Sequence, residues 1–246
     1  MVSLLETCLV AAVVLLGALT QRATGLGLAL VAAPFLVLVA GPVAGVSLSN
    51  SLSASTCALV LARTWRRALW REVALLALPA LAAIPLGVLV VRTLPDGPLL
   101  VIVGALSVGA VSLVLLDRGR ELPHGRWTGI PAGALAGFMN ATAGVGGPMV
   151  SAYAMSRSWP LPVFIPTAQA TLLAVNLASL AGKGPPALPP AVWLVCAAAL
   201  ATGLLAGELV GRRVGADRGR RLVLALALAG GVAAVARGVA ELSAAG

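Results

Sequence analysis

Nine consecutive residues, Asn140-Ala141-Thr142-Ala143-Gly144-Val145-Gly146-Gly147-Pro148, constrain this chain more than any other stretch. They sit in the middle of an apolar segment, 128–157, that is too long for one straight membrane crossing. Its three glycines and a proline oppose a continuous helix. Backbone groups freed by such a break are costly in hydrocarbon. They are tolerated only where protein or a water-filled cavity satisfies them. A similar break lies in the apolar segment 3–40, at Gln21-Arg22-Ala23-Thr24-Gly25-Leu26-Gly27. Two breaks in matching places of two halves point to a transport site.

Composition places these segments in a bilayer. The chain has 246 residues, is 60% hydrophobic and 10% charged, and has a mean hydropathy of +1.03. Long apolar runs joined by short polar links read as an all-α polytopic membrane protein. The net charge of +9 does not imply nucleic acid, because most arginines gather in three short links between apolar runs. The N-terminus lacks a basic region, and its first charge is Glu6, so it does not read as a signal peptide. Cys8, Cys57 and Cys196 lie singly in apolar runs, without disulfide or metal spacing. One histidine, His124, cannot supply a metal cluster, and no Ser/His/Asp constellation exists. Neither a cofactor nor an enzymatic activity is expected.

Six further apolar segments, 43–62, 72–92, 97–116, 162–182, 189–210 and 219–241, have the length of single crossings. Loop charge orders them. The links 63–72, 117–127 and 211–221 carry Arg63, Arg66, Arg67 and Arg71, then Arg118, Arg120 and Arg126, then Arg212, Arg213, Arg218, Arg220 and Arg221. The positive-inside rule puts all three in the cytoplasm. The links 93–98 and 183–190 carry only Asp96 and Lys183, and belong outside. These sides agree only if 128–157 enters and leaves on one side, as a hairpin. By the same logic 3–40 is a hairpin on the outer side. A multi-pass protein of the inner (plasma) membrane, with both termini outside, is expected.

An offset of 119 residues pairs Gln21 with Asn140, Gly25 with Gly144, Gly27 with Gly146 and Asn50 with Gln169. Residues 1–117 and 118–246 then form two repeats, each a broken-helix hairpin plus three transmembrane helices. Three crossings per repeat invert the second relative to the first, an architecture of many secondary transporters. Trp65, Trp70, Trp127, Trp159 and Trp193 fall near span ends, as an interfacial belt would.

The breaks also carry the candidate binding groups. Helix N-termini present free N–H groups and a positive dipole end, which suit a small anion. Gly25, Gly27, Gly144, Gly146 and Gly147 allow close backbone approach, and Pro148 suits the first turn of the helix that follows. Gln21, Thr24, Asn140 and Thr142 flank the breaks, and Asn50 and Gln169 correspond under the repeat. Neutral amides and hydroxyls can hold an oxyanion and still release it; they can equally bond helix to helix. The alternating Ser47, Ser49, Ser51, Ser53 and Ser55 favour the second role. Arg22 is either an intramembrane anion contact or a residue reaching to the outer interface. Glu208 is either a proton site or the interfacial partner of Arg212. Gly133 and Gly137, like Gly203, Gly207 and Gly211, have the four-residue spacing of tight helix contacts.

The Gly25-Leu26-Gly27 break with Pro34 downstream, its echo from Ala143 to Pro148, and the repeat together resemble the TauE/SafE-type sulfite exporter family, from about residue 10 to 240. The resemblance implies a permease for sulfite, organosulfonates or related small anions, mostly outward. The expected function is therefore secondary transport of a small anionic substrate across the bilayer, with a proton as a candidate coupling ion. An anion channel of the same fold, and a membrane enzyme or assembly factor, are the alternatives.

Overall fold

The computed structural model describes residues 3–24, 27–116, 125–213 and 216–245. Within them the chain forms ten α-helices and no strand. They are α1 (Leu4–Thr24), α2 (Gly27–Ala40), α3 (Pro42–Thr64), α4 (Trp70–Thr93), α5 (Asp96–Leu116), α6 (Gly129–Ala143), α7 (Gly147–Ser156), α8 (Leu161–Lys183), α9 (Pro190–Arg213) and α10 (Ala216–Ala245). Seven have a window long and apolar enough to cross a membrane, which makes this a multi-pass membrane protein. Exposed leucines such as Leu78, Leu86, Leu194 and Leu205 point outward from them, as a lipid-facing surface requires.

Both glycine stretches interrupt helices. The first separates α1 from α2, and the second separates α6 from α7. The arms of each pair run antiparallel. Gly17 lies against Ala32 and Leu28, and Gln21 reaches the N–H of Leu28. Gly146 lies against Ala136, and Gly129 against Tyr153. The arms of the first pair are unequal, however. Helix α1 has 21 residues, about 31 Å at the helical rise, and is itself long enough to cross; α2 has 14. Thus 3–40 is not two equal half-helices. Gly17 is absorbed into α1, so the break falls late in the segment.

Named contacts sort the helix ends onto two faces. The Arg126 side chain pairs with Glu72 at 3.8 Å, joining the starts of α4 and α6. The Leu69 N–H donates to Thr167 Oγ1 at 3.0 Å, which brings in the start of α8. At the other end, Arg92 donates to the Gly182 carbonyl at 2.6 Å, joining the ends of α4 and α8. Gly97 meets Gly238 there, and Arg237 donates to the Leu38 carbonyl at 2.6 Å. The arginine link around α4 and the start of the second hairpin therefore share one face, the arginine face. The links after α4 and α8 share the opposite face.

Small residues bring the helices this close. A Cβ built on Gly137 would sit 2.1 Å from the Ala80 carbonyl oxygen, and one on Gly133 2.2 Å from that of Leu76. The spacing of four residues thus seats α6 directly on the backbone of α4. Gly203 does the same for α9 against Leu15 and Ala18 of α1. Gly104 and Gly231 meet between α5 and α10. Of the five tryptophans, Trp65, Trp70 and Trp127 are exposed at helix ends, as a belt predicts. Trp159 instead packs edge-on against Tyr153 at 5.4 Å, and Trp193 packs on the core of α1 and α9. Both are drawn inward by apolar neighbours.

Replacing Gly137 with Val is expected to lower stability by on the order of 2 kcal/mol, because backbone cannot yield to the added methyls. Gly109→Ala, with nothing within 4 Å of the new Cβ, is expected to be neutral or slightly stabilising. Thermal unfolding of the two variants in detergent checks the contrast.

Candidate functional site

Gly144 ends α6 in the left-handed conformation, at φ 73°. Its N–H donates to the Asn140 carbonyl at 2.9 Å, satisfying one of the carbonyls that any helix end leaves free. Three residues later Gly147 opens α7, with Pro148 in its first turn, where a missing N–H has no consequence. The tip between them is wholly buried; Val145 has 0% exposure. It presses on α2 and α3, where Gly144 contacts Ala33, Ser49 and Asn50. At the other break, Gln21 Oε1 accepts from the Leu28 N–H at 3.0 Å, satisfying a donor in the first turn of α2. The described residues that flank the two breaks, Gln21 and Leu28 at one and Asn140 and Gly146 at the other, therefore converge inside the protein.

A cavity of about 40 Å³ lies at their junction. One water needs about 10–15 Å³ by this measure, so the space suits a few heavy atoms. Its walls include Gln21 from α1, Ser53, Thr56 and Cys57 from α3, Asn140 and Gly146 from the second break, Gly147 and Pro148 from α7, and Gln169 and Asn176 from α8. The described polar walls are amides, hydroxyls and the start of α7, without formal charge. Two of them lack a partner: Ser53 Oγ and Gln169 Oε1 are buried and unbonded. A buried polar atom left so costs about 1–3 kcal/mol, which water or a ligand in the cavity would recover.

The expected residues divide into three groups. Gln21, Asn140, Gly146, Gly147 and Gln169 line the cavity. Asn50, Thr142 and Gly144 do not. Asn50 is fully buried and braces the tip, its side-chain N–H donating to the Asn140 carbonyl at 3.4 Å. Thr142 donates within its own helix, to the Phe138 carbonyl. Gly144 shapes the turn. The third group lies outside the described residues: Gly25, and the side chains of Arg22, Thr24 and Glu208, together with His124. Gly27 opens α2.

Sequence reasoning passed over Thr56, Asn176 and Ser179, and favoured a helix-to-helix bond for Ser53. The alternating serines of α3 are not one group. Ser51 and Ser55 bond back to carbonyls of their own helix, whereas Ser49 and Ser53 have no partner. Helical spacing would have found the set: Asn50, Ser53 and Cys57 share a face of α3, and Gln169 and Asn176 a face of α8. Asn176 Oδ1 and Ser179 Oγ accept from the Asn140 side chain at 3.1 and 3.2 Å, binding the second hairpin to α8. Among the described residues no metal-binding group of His, Cys, Asp or Glu occurs.

A polar cavity beside two interrupted helices is the arrangement that secondary transporters place at their substrate site. The description Sulfite exporter TauE/SafE matches residues 9–234, and the chain belongs to that family. It is accordingly of a membrane-transporter family for sulfur-containing anions, not of an enzyme family. No curated protein and no solved structure matches it.

Asn140→Ala removes the group that Asn176 and Ser179 share. It is expected to destabilise the protein by about 1–3 kcal/mol. Thr142→Val, which removes only a bond within α6, is expected to cost less than about 1 kcal/mol. Chemical or thermal unfolding in detergent distinguishes them.

Proposed function

We propose that the protein is a secondary transporter that exports a small sulfur oxyanion, sulfite or an organosulfonate, through the cavity between the two hairpin tips. The observation that carries this reading is the cavity itself. It is lined by residues that flank both breaks, and its unpartnered Ser53 hydroxyl can donate to an oxyanion, while the unpartnered Gln169 Oε1 can accept from a water beside it. Neutral donors and the start of α7 suit an oxyanion that must also leave. The space favours an anion of about four heavy atoms, as in sulfite, over a longer organosulfonate.

Alternating access by rocking of one repeat against the other is the accompanying mechanism. Its support is the pairing of helices across the halves. Helix α4 packs on α6 and α9 on α1, and these pairs exchange under the offset of 119 residues. Helices α3 and α8, and α5 and α10, pair with each other likewise. The arginine face is the cytoplasmic one in this reading, which leaves both termini outside the inner membrane.

Counterflow of labelled sulfite into proteoliposomes tests the transport; saturable exchange is expected, and currents at channel rates would replace a carrier with a channel. Gln169→Leu is expected to fold, because the oxygen it removes has no partner, and to abolish stabilisation of the purified protein by sulfite, because it also removes the amide N–H donors. The sidedness is checked by Trp127→Cys and Ala187→Cys, made in a Cys8→Ser background. They are expected to label from opposite sides of the membrane.

A further inference from the structure

Lys183 is the chain's only lysine, and the transport reading above does not use it. It closes α8 and is half-buried, and its ammonium donates to the Ala141 carbonyl at 2.7 Å. Ala141 is in the last turn of α6, where the carbonyls lack partners and the helix dipole is negative. Gln169, Asn176, Ser179 and Lys183 are spaced seven, three and four residues apart, so they form one stripe of α8. The stripe runs from the cavity at Gln169, through the Asn140 side chain, to Ala141 and the end of α8. An anion leaving the cavity along α8 toward the face opposite the arginines meets Asn176, then Ser179, then this ammonium.

We infer that Lys183 is a release-side contact for the anion: it latches the second hairpin through the Ala141 carbonyl and exchanges that carbonyl for the departing oxyanion. A charge-assisted bond from ammonium to an anion is stronger than one to a neutral carbonyl, so the exchange is downhill once the anion arrives. Loss of the carbonyl bond frees the hairpin end that shuts this side. The site takes a small oxyanion and rests on the proposed transport. The 119-residue offset puts Thr64 at the corresponding place in the first half, where its hydroxyl bonds within its own helix to Val60. The latch therefore belongs to one face of the protein alone.

Three variants of the full chain test it in proteoliposomes. Lys183→Arg keeps the charge, Lys183→Gln keeps a donor for Ala141, and Lys183→Met keeps neither. Sulfite counterflow is expected to fall at least tenfold in K183M and K183Q and to stay within about threefold of wild type in K183R. Stabilisation of the purified protein by sulfite is expected to change little in all three, since the cavity is intact. Cys57, buried in the cavity wall, reports the latch without any substrate. In a Cys8→Ser, Cys196→Ala background, an impermeant thiol reagent added on the Ala187 side is expected to reach Cys57 at least tenfold faster in K183M than in wild type or K183Q. Counterflow in K183Q equal to wild type, or in K183R as low as in K183Q, overturns the anion contact. Equal labelling of Cys57 in folded K183M overturns the latch. If K183M does not fold, K183Q and K183R counterflow still decide the anion contact. If wild type shows neither sulfite flux nor sulfite stabilisation, the transport reading fails and the anion contact with it; the labelling rates then decide the latch alone.

Discussion

Every free backbone group in a membrane interior must find a partner, and this requirement organises the molecule. Two helix breaks create such groups in the middle of the protein, and each is met by a different device. The first break spends a side chain on itself: Gln21 bonds the opening N–H of α2. The second turns through a left-handed glycine and hands its last carbonyls to neighbours. Asn140 offers its carbonyl to Gly144 and Asn50, and Ala141 offers its own to Lys183. Among the described residues, Ser53 Oγ and Gln169 Oε1 stay unpaired in the wall of one small cavity beside these breaks.

Close helix packing is the second condition for that cavity. Tips can meet only if the helices that carry them approach at backbone distance. Gly133 and Gly137 seat α6 on α4, and Gly203 seats α9 on α1. In hydrocarbon there is no hydrophobic drive between helices, so this fit and the polar ties supply the association. At the arginine face the base of the second hairpin is also pinned. Tyr153 donates to Glu72 at 2.6 Å, and Glu72 pairs with Arg126.

The membrane fold was legible because hydropathy and glycine spacing are strong signals with one physical cause each. The six single crossings could be placed from apolar length, both helix breaks from glycines inside over-long segments, and Gly133 and Gly137 from their spacing. The site was half legible. Gln21, Asn140, Gly146, Gly147 and Gln169 could be named because they flank a break or pair across the offset. Thr142 looked equivalent to Asn140, but a threonine in a helix can satisfy its hydroxyl on the preceding turn, and this one does. Ser53 was hidden among serines of the same appearance, and its distinction is the partner it lacks. Lys183 read as a loop charge because its ammonium finds a carbonyl 42 positions away in sequence, which no local pattern encodes.

The two hairpins are consequently not mechanical equals. Among the described residues, the first holds Gln21 on Leu28 within the hairpin and takes one bond from Arg237 of α10, while the second is tied to α8 at three points. All three ties lie on the same side of the cavity, toward the face opposite the arginines. A movement that opens the cavity toward the arginine face leaves them in place. In the proposed cycle a movement that opens the other way would break them, and only the last involves a charge, the Lys183 ammonium. In the proposed transport cycle, a few polar residues on one helix would therefore supply the direction. The sequence offset that relates the halves is silent about it, because Thr64 and Cys57 stand where Lys183 and Asn176 do the tying.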